Sequence, residues 1–236
     1  MQRYFVKEKN NNQFILDDQD IHHIKKVMRC KNNDKVEVVY QEKVYLCNID
    51  DIDSLKLSII NTYEEDRESN VNLTIAVSLV QEQKFDLILQ KLTELGVSTI
   101  IPVKTERSIV KIDSSKAEKK QKRWETICKE ASEQSHRITI PKITKIMTMR
   151  ELIDHKKDLN LICSLSENTK PLEEYLTQNI NDIMFIIGPE GGFTKKEEEF
   201  LINNEFMCTT LGKRVLRVET AAIYVASIVN YVYKGW

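Results

Sequence analysis

The pattern of apolar and polar positions changes its period about a third of the way along the chain. In the first 70 residues, short runs rich in β-branched and aromatic residues alternate with polar turns such as Asn32-Asn33-Asp34. One stretch, residues 20–28, has apolar residues at helical spacing instead. Several short strands in such a segment predict a small β-barrel. The predicted strands are residues 3–6, 14–16, 35–40, 44–49 and 55–62.

After a charged break at residues 64–70, strands and helices alternate. A strand, a helix and a second strand follow one another with short connections, which is typical of a right-handed βαβ unit in a parallel sheet. We therefore expect an α/β fold in two domains, residues 1–70 and residues 71–236. The predicted strands of the second domain are residues 71–80, 97–103, 160–165, 183–187 and 206–211, and its main helices are residues 83–95, 114–137 and 221–233.

Two of these strands end in glycine-bearing loops. The first loop is Gly188-Pro189-Glu190-Gly191-Gly192, after which Thr194 and Glu197 have the spacing of a capping box. The second is Gly212 with the basic residues that follow it. Ligands of open parallel sheets bind at the carboxyl ends of the strands. Ordinary turns would explain any one of these glycines, but four of the 6 glycines lie here, which favours a ligand site.

Composition narrows the class of protein. Hydrophobic residues make up 41% and charged residues 30%, as in globular proteins, and no apolar run approaches the roughly 18–20 residues of a membrane span. The N-terminus lacks the apolar core of a signal peptide, and the 5 cysteines form no C-x-x-C pair, so we expect free thiols in a reducing cytoplasm. The 4 histidines show no zinc-ligand spacing, and we expect no metal.

The chain contains a basic segment although its net charge is close to zero. The net charge is −1, yet 13 Lys and Arg stand against 6 Asp and Glu between residues 102 and 150. Such a segment suits a phosphate backbone as partner, and it equally suits a solvated helix face.

The GPEGG loop after a strand and the LGKRVLRVETA stretch before an apolar helix resemble motifs of the SPOUT methyltransferases. The resemblance is strongest to the RsmE type, the small-subunit ribosomal RNA uridine-N3 methyltransferases, whose KLTELGV and EA-x-EQ-x-x-R segments are matched as well. It implies a SPOUT domain with a parallel sheet and a deep trefoil knot, preceded by a PUA-like β-barrel that binds RNA. It also implies S-adenosyl-L-methionine as cofactor, small-subunit ribosomal RNA or an assembled subunit as partner, and a homodimer without membrane or metal.

The resemblance also implies roles for individual residues. Uridine N3 is protonated at neutral pH, so its methylation needs a proton acceptor and a nearby cation. We expect Arg217 to supply the cation, with Arg107 or Arg137, while Glu94, Glu219 or a water accepts the proton; for Glu219 a helix-dipole role is favoured. The residues expected to hold the cofactor are Leu165, Ile187, Gly188, Pro189, Glu190, Gly191, Gly192, Leu211, Gly212, Val215, Leu216 and Arg217.

RNA contacts are expected mainly from cationic residues of the first domain. A solvated cationic face is the alternative explanation for the same residues. The set is Arg3, His22, Lys25, Arg29, Gln134 and Arg137.

The last predicted helix is apolar on nearly every side, which requires burial all round. Core packing satisfies this requirement, and so does a homodimer interface that uses Tyr231, Tyr233 and Trp236. The resulting functional prediction is S-adenosylmethionine-dependent methylation of uridine N3 in 16S ribosomal RNA. Two alternatives stay open: a SPOUT ribose 2′-O-methyltransferase acting on tRNA or rRNA, and a non-enzymatic RNA-binding protein.

Overall fold

The computed structural model describes residues 1–10, 13–108, 110, 114–166, 169–176 and 180–233. It divides into two compact units. The first unit is Met1–Arg67 with Ser132–Thr139, and the second is Glu68–Ala131 with Ile140–Trp236. The predicted boundary near residue 70 agrees with the end of the first segment, but the prediction did not include residues 132–139 in the first unit. Trp236, predicted as an interface aromatic, lies outside the described residues.

The first unit is built from short strands around one core. A four-stranded sheet has the order β1-β4-β5-β6, and β2 pairs antiparallel with β3. Tyr4, Phe14, Ile24 and Val38 belong to the shared core. All five predicted strands are confirmed, and the predicted helix is a short α-helix continued by a π-helical turn. The elements are β1 (Arg3–Phe5), β2 (Glu8–Asn10), β3 (Gln13–Ile15), α1 (Asp18–His22), the π turn His23–Val27, β4 (Lys35–Tyr40), β5 (Lys43–Asp51) and β6 (Lys56–Tyr63).

The second unit contains an eight-stranded sheet in which all the strand pairs are parallel. The order is β10-β8-β7-β13-β11-β14-β12, with β9 beside β8. The predicted parallel α/β architecture is therefore confirmed for this unit. The strands are β7 (Asn72–Ser78), β8 (Thr99–Lys104), β9 (Lys142–Ile143), β10 (Met147–Thr148), β11 (Leu159–Cys163), β12 (Lys170–Pro171), β13 (Asp182–Ile187) and β14 (Met207–Thr210).

Helices cover both faces of this sheet, as burial of its apolar strands requires. Apolar residues of α2 and α6 pack into one core on one face of the sheet. Residues of α4 and α5 pack into a second core, which contains the strand side chains of the opposite face. Trp124 of α3 joins the first core, with its ring 4.8 Å from that of Phe85. The helices are α2 (Glu82–Glu94), α3 (Ser114–Gln134), α4 (Met149–Ile153), α5 (Lys195–Ile202) and α6 (Val218–Val232), with a 3-10 turn at Leu172–Glu174.

The bounds of one predicted helix need correction, and the burial of another is only partly accounted for by the single chain. The helix predicted at 114–137 ends at Gln134, because His136 has a φ of 57°, which an α-helix does not accommodate. Helix α6, for which the sequence predicts burial all round, buries one face in the chain's own core through residues such as Val225. Tyr224 and Tyr231 are exposed on its other face, and burial of that face by a second copy stays a prediction. None of the helices among the described residues is both long and apolar enough to span a bilayer.

Candidate functional site

A cavity of about 330 Å³ opens at the carboxyl ends of β11, β13 and β14. The sheet is parallel, so the loops that follow these three strands meet at one edge, where open α/β sheets bind ligands. Eleven of the twelve residues predicted to hold a cofactor line this cavity, and Arg217 does not. The eleven are Leu165, Ile187, Gly188, Pro189, Glu190, Gly191, Gly192, Leu211, Gly212, Val215 and Leu216.

The loop after β13 owes its path to a close approach between Gly188 and Phe193. A Cβ atom at Gly188 would lie 3.0 Å from the Phe193 ring, and that ring is only 8% exposed. Only a residue without a side chain fits there without displacing the ring. Beyond the loop, Thr194 and Glu197 form the predicted capping box at the start of α5.

Side chains of Arg107 and Lys84 contact this loop, and Glu197 holds the start of α5 just beyond it. Arg107 Nη1 donates to the carbonyl oxygens of Gly191, at 2.8 Å, and of Phe193, at 3.1 Å. Glu197 Oε1 accepts a hydrogen bond from the backbone N–H of Glu106 at 2.8 Å. Lys84 forms an ion pair with Glu190. Nη1 of Arg107 is engaged with two loop carbonyl oxygens, a contact that positions the loop, and the expected role of Arg107 as a catalytic cation stays a prediction.

The loop after β14 forms the other wall. Gly212 has a φ of 110°, which favours glycine, and the Leu211 and Leu216 side chains line the cavity on either side of it. Arg217 is exposed and caps α6 through its carbonyl oxygen, which accepts from Ala221 N at 2.8 Å. Its two chain neighbours, Leu216 and Val218, line the cavity, so Arg217 lies at the rim rather than in the wall.

Sequence reasoning missed part of the wall. Ser164 Oγ donates to Glu198 Oε1 at 2.5 Å and accepts from Ser166 N at 3.0 Å. Burial raises the pKa of the Cys163 thiol to about 12, so it stays protonated at neutral pH. The end of β11 lies at the same edge as the glycine loops, which would have identified Ser164 and Ser166, whereas no sequence signal identifies Glu198. The missed lining residues are Cys163, Ser164, Ser166, Phe193, Glu198, Arg214, Val218 and Ala221.

Glu94, expected as a proton acceptor, lies away from the cavity. It is the last residue of α2, and α2 begins at the carboxyl edge of the sheet just after β7. The 13 residues of α2 carry Glu94 about 20 Å towards the opposite edge. There its carboxylate binds Lys91 Nζ at 2.8 Å, an i,i+3 ion pair on the helix surface. Glu94 therefore does not line the described cavity, and its expected role as proton acceptor stays a prediction.

Two of the residues expected to contact RNA are buried in the first unit. Arg3 is 0% exposed and binds the carboxylates of Glu37, at 2.9 Å, and Glu65, at 3.0 Å. Its Nη1 also donates to the carbonyl oxygens of His136, at 2.7 Å, and Arg137, at 3.2 Å. These contacts tie residues 132–139 to β1, so Arg3 supports the fold and is not available to a phosphate.

The other predicted RNA contacts differ in exposure. Arg137 is 5% exposed, so its side chain is not at the surface either. His22, Arg29 and Gln134 are exposed. Lys25 is half-buried and donates to the Asp53 carbonyl oxygen at 2.8 Å. A surface for RNA on this unit would therefore use His22, Lys25, Arg29 and Gln134.

Known proteins with a similar sequence bear on both units. The profile of the family described as an RNA methyltransferase domain matches residues 67–230, and that of the RNA methyltransferase PUA domain matches residues 16–60. The chain is 32% identical to ribosomal RNA small subunit methyltransferase E of Bacillus subtilis, covering 98% of this chain and 96% of the relative. It is 36% identical to the protein of the same name from Mesomycoplasma hyopneumoniae, covering 95% and 96%.

Solved structures agree with the sequence relationship. The crystal structure of a ribosomal RNA small subunit methyltransferase E from Neisseria gonorrhoeae, bound to S-adenosyl methionine, superposes with a TM-score of 0.89 at 30% identity. The superposition covers 99% of this chain and 98% of that one. Together with the match of the RNA methyltransferase profile over most of the second unit, these full-length likenesses show that the chain belongs to the ribosomal RNA small subunit methyltransferase E family.

Proposed function

We propose that this protein transfers a methyl group from S-adenosyl-L-methionine to N3 of a uridine in small-subunit ribosomal RNA. The observation that carries the proposal is the single cavity into which two glycine-bearing loops and the end of β11 converge. Family membership supports ribosomal RNA as the substrate class. The choice of uridine N3 rests on the resemblance of the GPEGG and LGKRVLRVETA motifs.

The cavity fits an adenosyl ligand. Its volume of about 330 Å³ is that of a small-molecule site, and its shape is set by main chain at Gly188, Gly191 and Gly212. Ile187, Leu211 and Leu216 provide apolar surface for a flat purine. When bound, the cofactor supplies an electrophilic methyl group carried on a sulfonium.

The chain's own residues must handle a proton and a developing negative charge. Loss of the N3 proton spreads negative charge over the two neighbouring carbonyl oxygens of the base, and a fixed cation lowers the energy of that state. Arg217 is our proposed cation, because its exposed guanidinium belongs to the residue between two cavity-lining neighbours. Glu219 or a water accepts the proton. Glu219 Oε2 is buried without a hydrogen-bond partner among the described residues.

The first unit, in this proposal, is the PUA-like module that binds the RNA. Its exposed or half-exposed polar residues His22, Lys25, Arg29 and Gln134 supply the contacts. Our proposed domains remain residues 1–70 and residues 71–236, and residues 132–139 contribute to the first, RNA-binding domain. We propose a cytoplasmic location, because small-subunit ribosomal RNA is the proposed substrate.

A deep trefoil knot belongs to the same proposal. The strand β14 pairs with both β11 and β12, so it lies between the two ends of the connection that follows β11. Such an arrangement supports a chain that threads one of its own loops. Stretching the unfolded chain with optical tweezers tests this, because a tightened knot leaves the contour length shorter than the residue count requires.

A homodimer is the proposed assembly. A groove of about 660 Å³ runs beside α6, lined by apolar residues that include Leu172, Leu176 and Ile228. Tyr224 is 44% exposed at this groove and Tyr231 is 74% exposed further along the helix. A second copy would cover these aromatics. A monomer at micromolar concentration in sedimentation velocity contradicts the assignment.

The central test combines binding with product identification. We expect calorimetry to show stoichiometric binding of S-adenosylmethionine to the purified protein. Methylation of small-subunit particles and of free rRNA, followed by mass spectrometry of the nucleosides, is expected to yield N3-methyluridine. A 2′-O-methylated nucleoside would establish the ribose-methylating alternative, and absence of cofactor binding would leave only the non-enzymatic RNA-binding alternative.

A further inference from the structure

Helix α5 contributes one carboxylate to the cavity wall. Glu198 lies in the first turn of α5, and its Oε1 accepts the hydrogen bond from Ser164 Oγ. Ser164 is only 5% exposed, and its hydroxyl is fixed in turn by the backbone N–H of Ser166. The orientation of the Glu198 carboxylate is therefore set by the end of β11. Within the part of the chain that the structure describes, its Oε2 has neither a hydrogen-bond donor nor a cation as partner.

The second carboxylate in the wall is already neutralised. Glu190 forms an ion pair with Lys84. The guanidinium of Arg107, which also lines the cavity, donates to loop carbonyl oxygens rather than to Glu198. Glu198 is thus the acidic side chain of the described cavity wall that lacks a cationic partner. A carboxylate in a partly desolvated cleft is stabilised when a ligand supplies donors to it.

The cavity also has a polar and an apolar end. Ile187, Leu211 and Leu216 continue the core that packs against α6. Ser164 and Glu198 belong to the other side, where α5 packs. A ligand with a flat apolar base and hydrogen-bond donors near it matches this division.

We propose that Glu198, oriented by Ser164, is the anchoring acceptor for the hydrogen-bond donors of an adenosyl ligand. The donors are the ribose hydroxyl groups or the α-ammonium group of S-adenosylmethionine, both of which form strong bonds to an anionic acceptor. This inference rests on the proposed function, since it assigns residues to the same cofactor.

Calorimetry with S-adenosylmethionine tests the assignment through Glu198→Gln, which keeps the shape of the side chain and removes its charge. We expect the dissociation constant to rise about ten-fold or more, because hydrogen bonds to charged groups are the strong ones. Glu199→Gln is the matched control, since Glu199 is the next residue of α5, is exposed and does not line the cavity. Its affinity is expected to equal that of the wild type.

A second ligand and a second variant sharpen the result. Methylthioadenosine keeps the ribose and lacks the ammonium group, so an equal loss for both ligands assigns the ribose and a loss for S-adenosylmethionine alone assigns the ammonium. Ser164→Ala, which keeps the charge and removes the orienting hydroxyl, is expected to weaken binding several-fold. If thermal unfolding shows that both proteins are folded and the wild type and Glu198→Gln bind S-adenosylmethionine equally well, the inference about Glu198 is wrong while the proposed function stands. A wild type that binds no S-adenosylmethionine overturns the proposed function as well.

Discussion

The guanidinium of Arg107 lies 2.8 Å from the carbonyl oxygen of Gly191 and thereby joins two loops at one edge of the sheet. Arg107 follows β8, whereas Gly191 follows β13, and β7 separates these strands. The loop has no side chains at Gly188, Gly191 and Gly192, and its own packing comes from the buried Pro189 and Phe193. The contact from Arg107 holds its main chain, and the hydrogen bond between Glu106 and Glu197 holds the start of the helix that follows.

Removing this contact should loosen the loop without unfolding the protein. For Arg107→Ala we expect weaker S-adenosylmethionine binding and faster hydrogen exchange in residues 188–193, because two carbonyl oxygens lose a charged donor, each bond being worth about 1.5–3 kcal/mol. For Arg107→Lys we expect an affinity and an exchange rate between those of the wild type and Arg107→Ala, since a single ammonium group replaces the planar guanidinium. Arg150→Ala, at an exposed position, is the control. Unchanged exchange in this loop for Arg107→Ala would contradict the positioning role.

The contact between Gly188 and Phe193 leads to a compensation experiment. Gly188→Ala places a methyl group 3.0 Å from the buried ring, and such overpacking costs about 1–3 kcal/mol. We expect lower thermal stability and weaker cofactor binding. Adding Phe193→Leu, which removes the ring, should restore part of both losses. Gly192→Ala separates backbone strain from crowding, since its φ is +66° and no atom lies within 4 Å of the added methyl group. Additive losses in the double variant would show that the ring is not the obstacle.

Short-range patterns predicted where the cavity lies. The predicted strand at residues 35–40 has the same first and last residues in the structure, and the predicted capping box at Thr194 and Glu197 is present. The glycine loops meet at one edge because parallel strands place their carboxyl ends together, a rule that needs no knowledge of side-chain packing. For the same reason, eleven predicted residues line one cavity.

Long-range partners explain what the sequence did not predict. Arg3 looked like a surface cation, yet its carboxylate partners Glu37 and Glu65 lie 34 and 62 positions away, where no periodicity connects them. Glu198 enters the cavity only because α5 packs beside the end of β11. The position of Glu94 away from the cavity could have been predicted, since the direction of α2 takes its last residue away from the carboxyl edge.

Single-turnover kinetics should distinguish Arg217 from Glu94, both of which the sequence motifs predict to be catalytic. If Arg217 stabilises the charge developing on the base, Arg217→Ala should slow methyl transfer by about 10²–10³, while cofactor affinity changes little. Glu94→Gln should transfer methyl groups at nearly the wild-type rate, because its only expected cost is a surface ion pair of a few tenths of a kcal/mol. Unchanged turnover in Arg217→Ala removes that residue from the mechanism. A large loss in Glu94→Gln would mean that the opposite edge of the sheet also takes part.

The buried ion pairs of Arg3 predict how the stability of the first unit depends on pH. Burial pushes the pKa of Glu37 upward, but hydrogen bonds from Tyr63, at 2.6 Å, and from Arg3 outweigh it, helped by the charges of Arg3 and His136. The net pKa lies below the ordinary value of 4.5. A carboxyl group with a lowered pKa stabilises the folded state above its unfolded pKa, and this contribution is lost as the pH falls through the folded pKa.

Glu37→Gln should therefore destabilise the protein most above pH 4.5 and progressively less below it. At neutral pH we expect a loss of about 3 kcal/mol, because Arg3 keeps Glu65 as a partner but loses one of two buried carboxylates. Urea unfolding from pH 7 to pH 3 measures the difference, with Glu42→Gln at an exposed position as control. A difference between wild type and Glu37→Gln that stays constant over this range would show that Glu37 is not ionised in the folded protein, and the ion pair with Arg3 would then not account for the docking of residues 132–139.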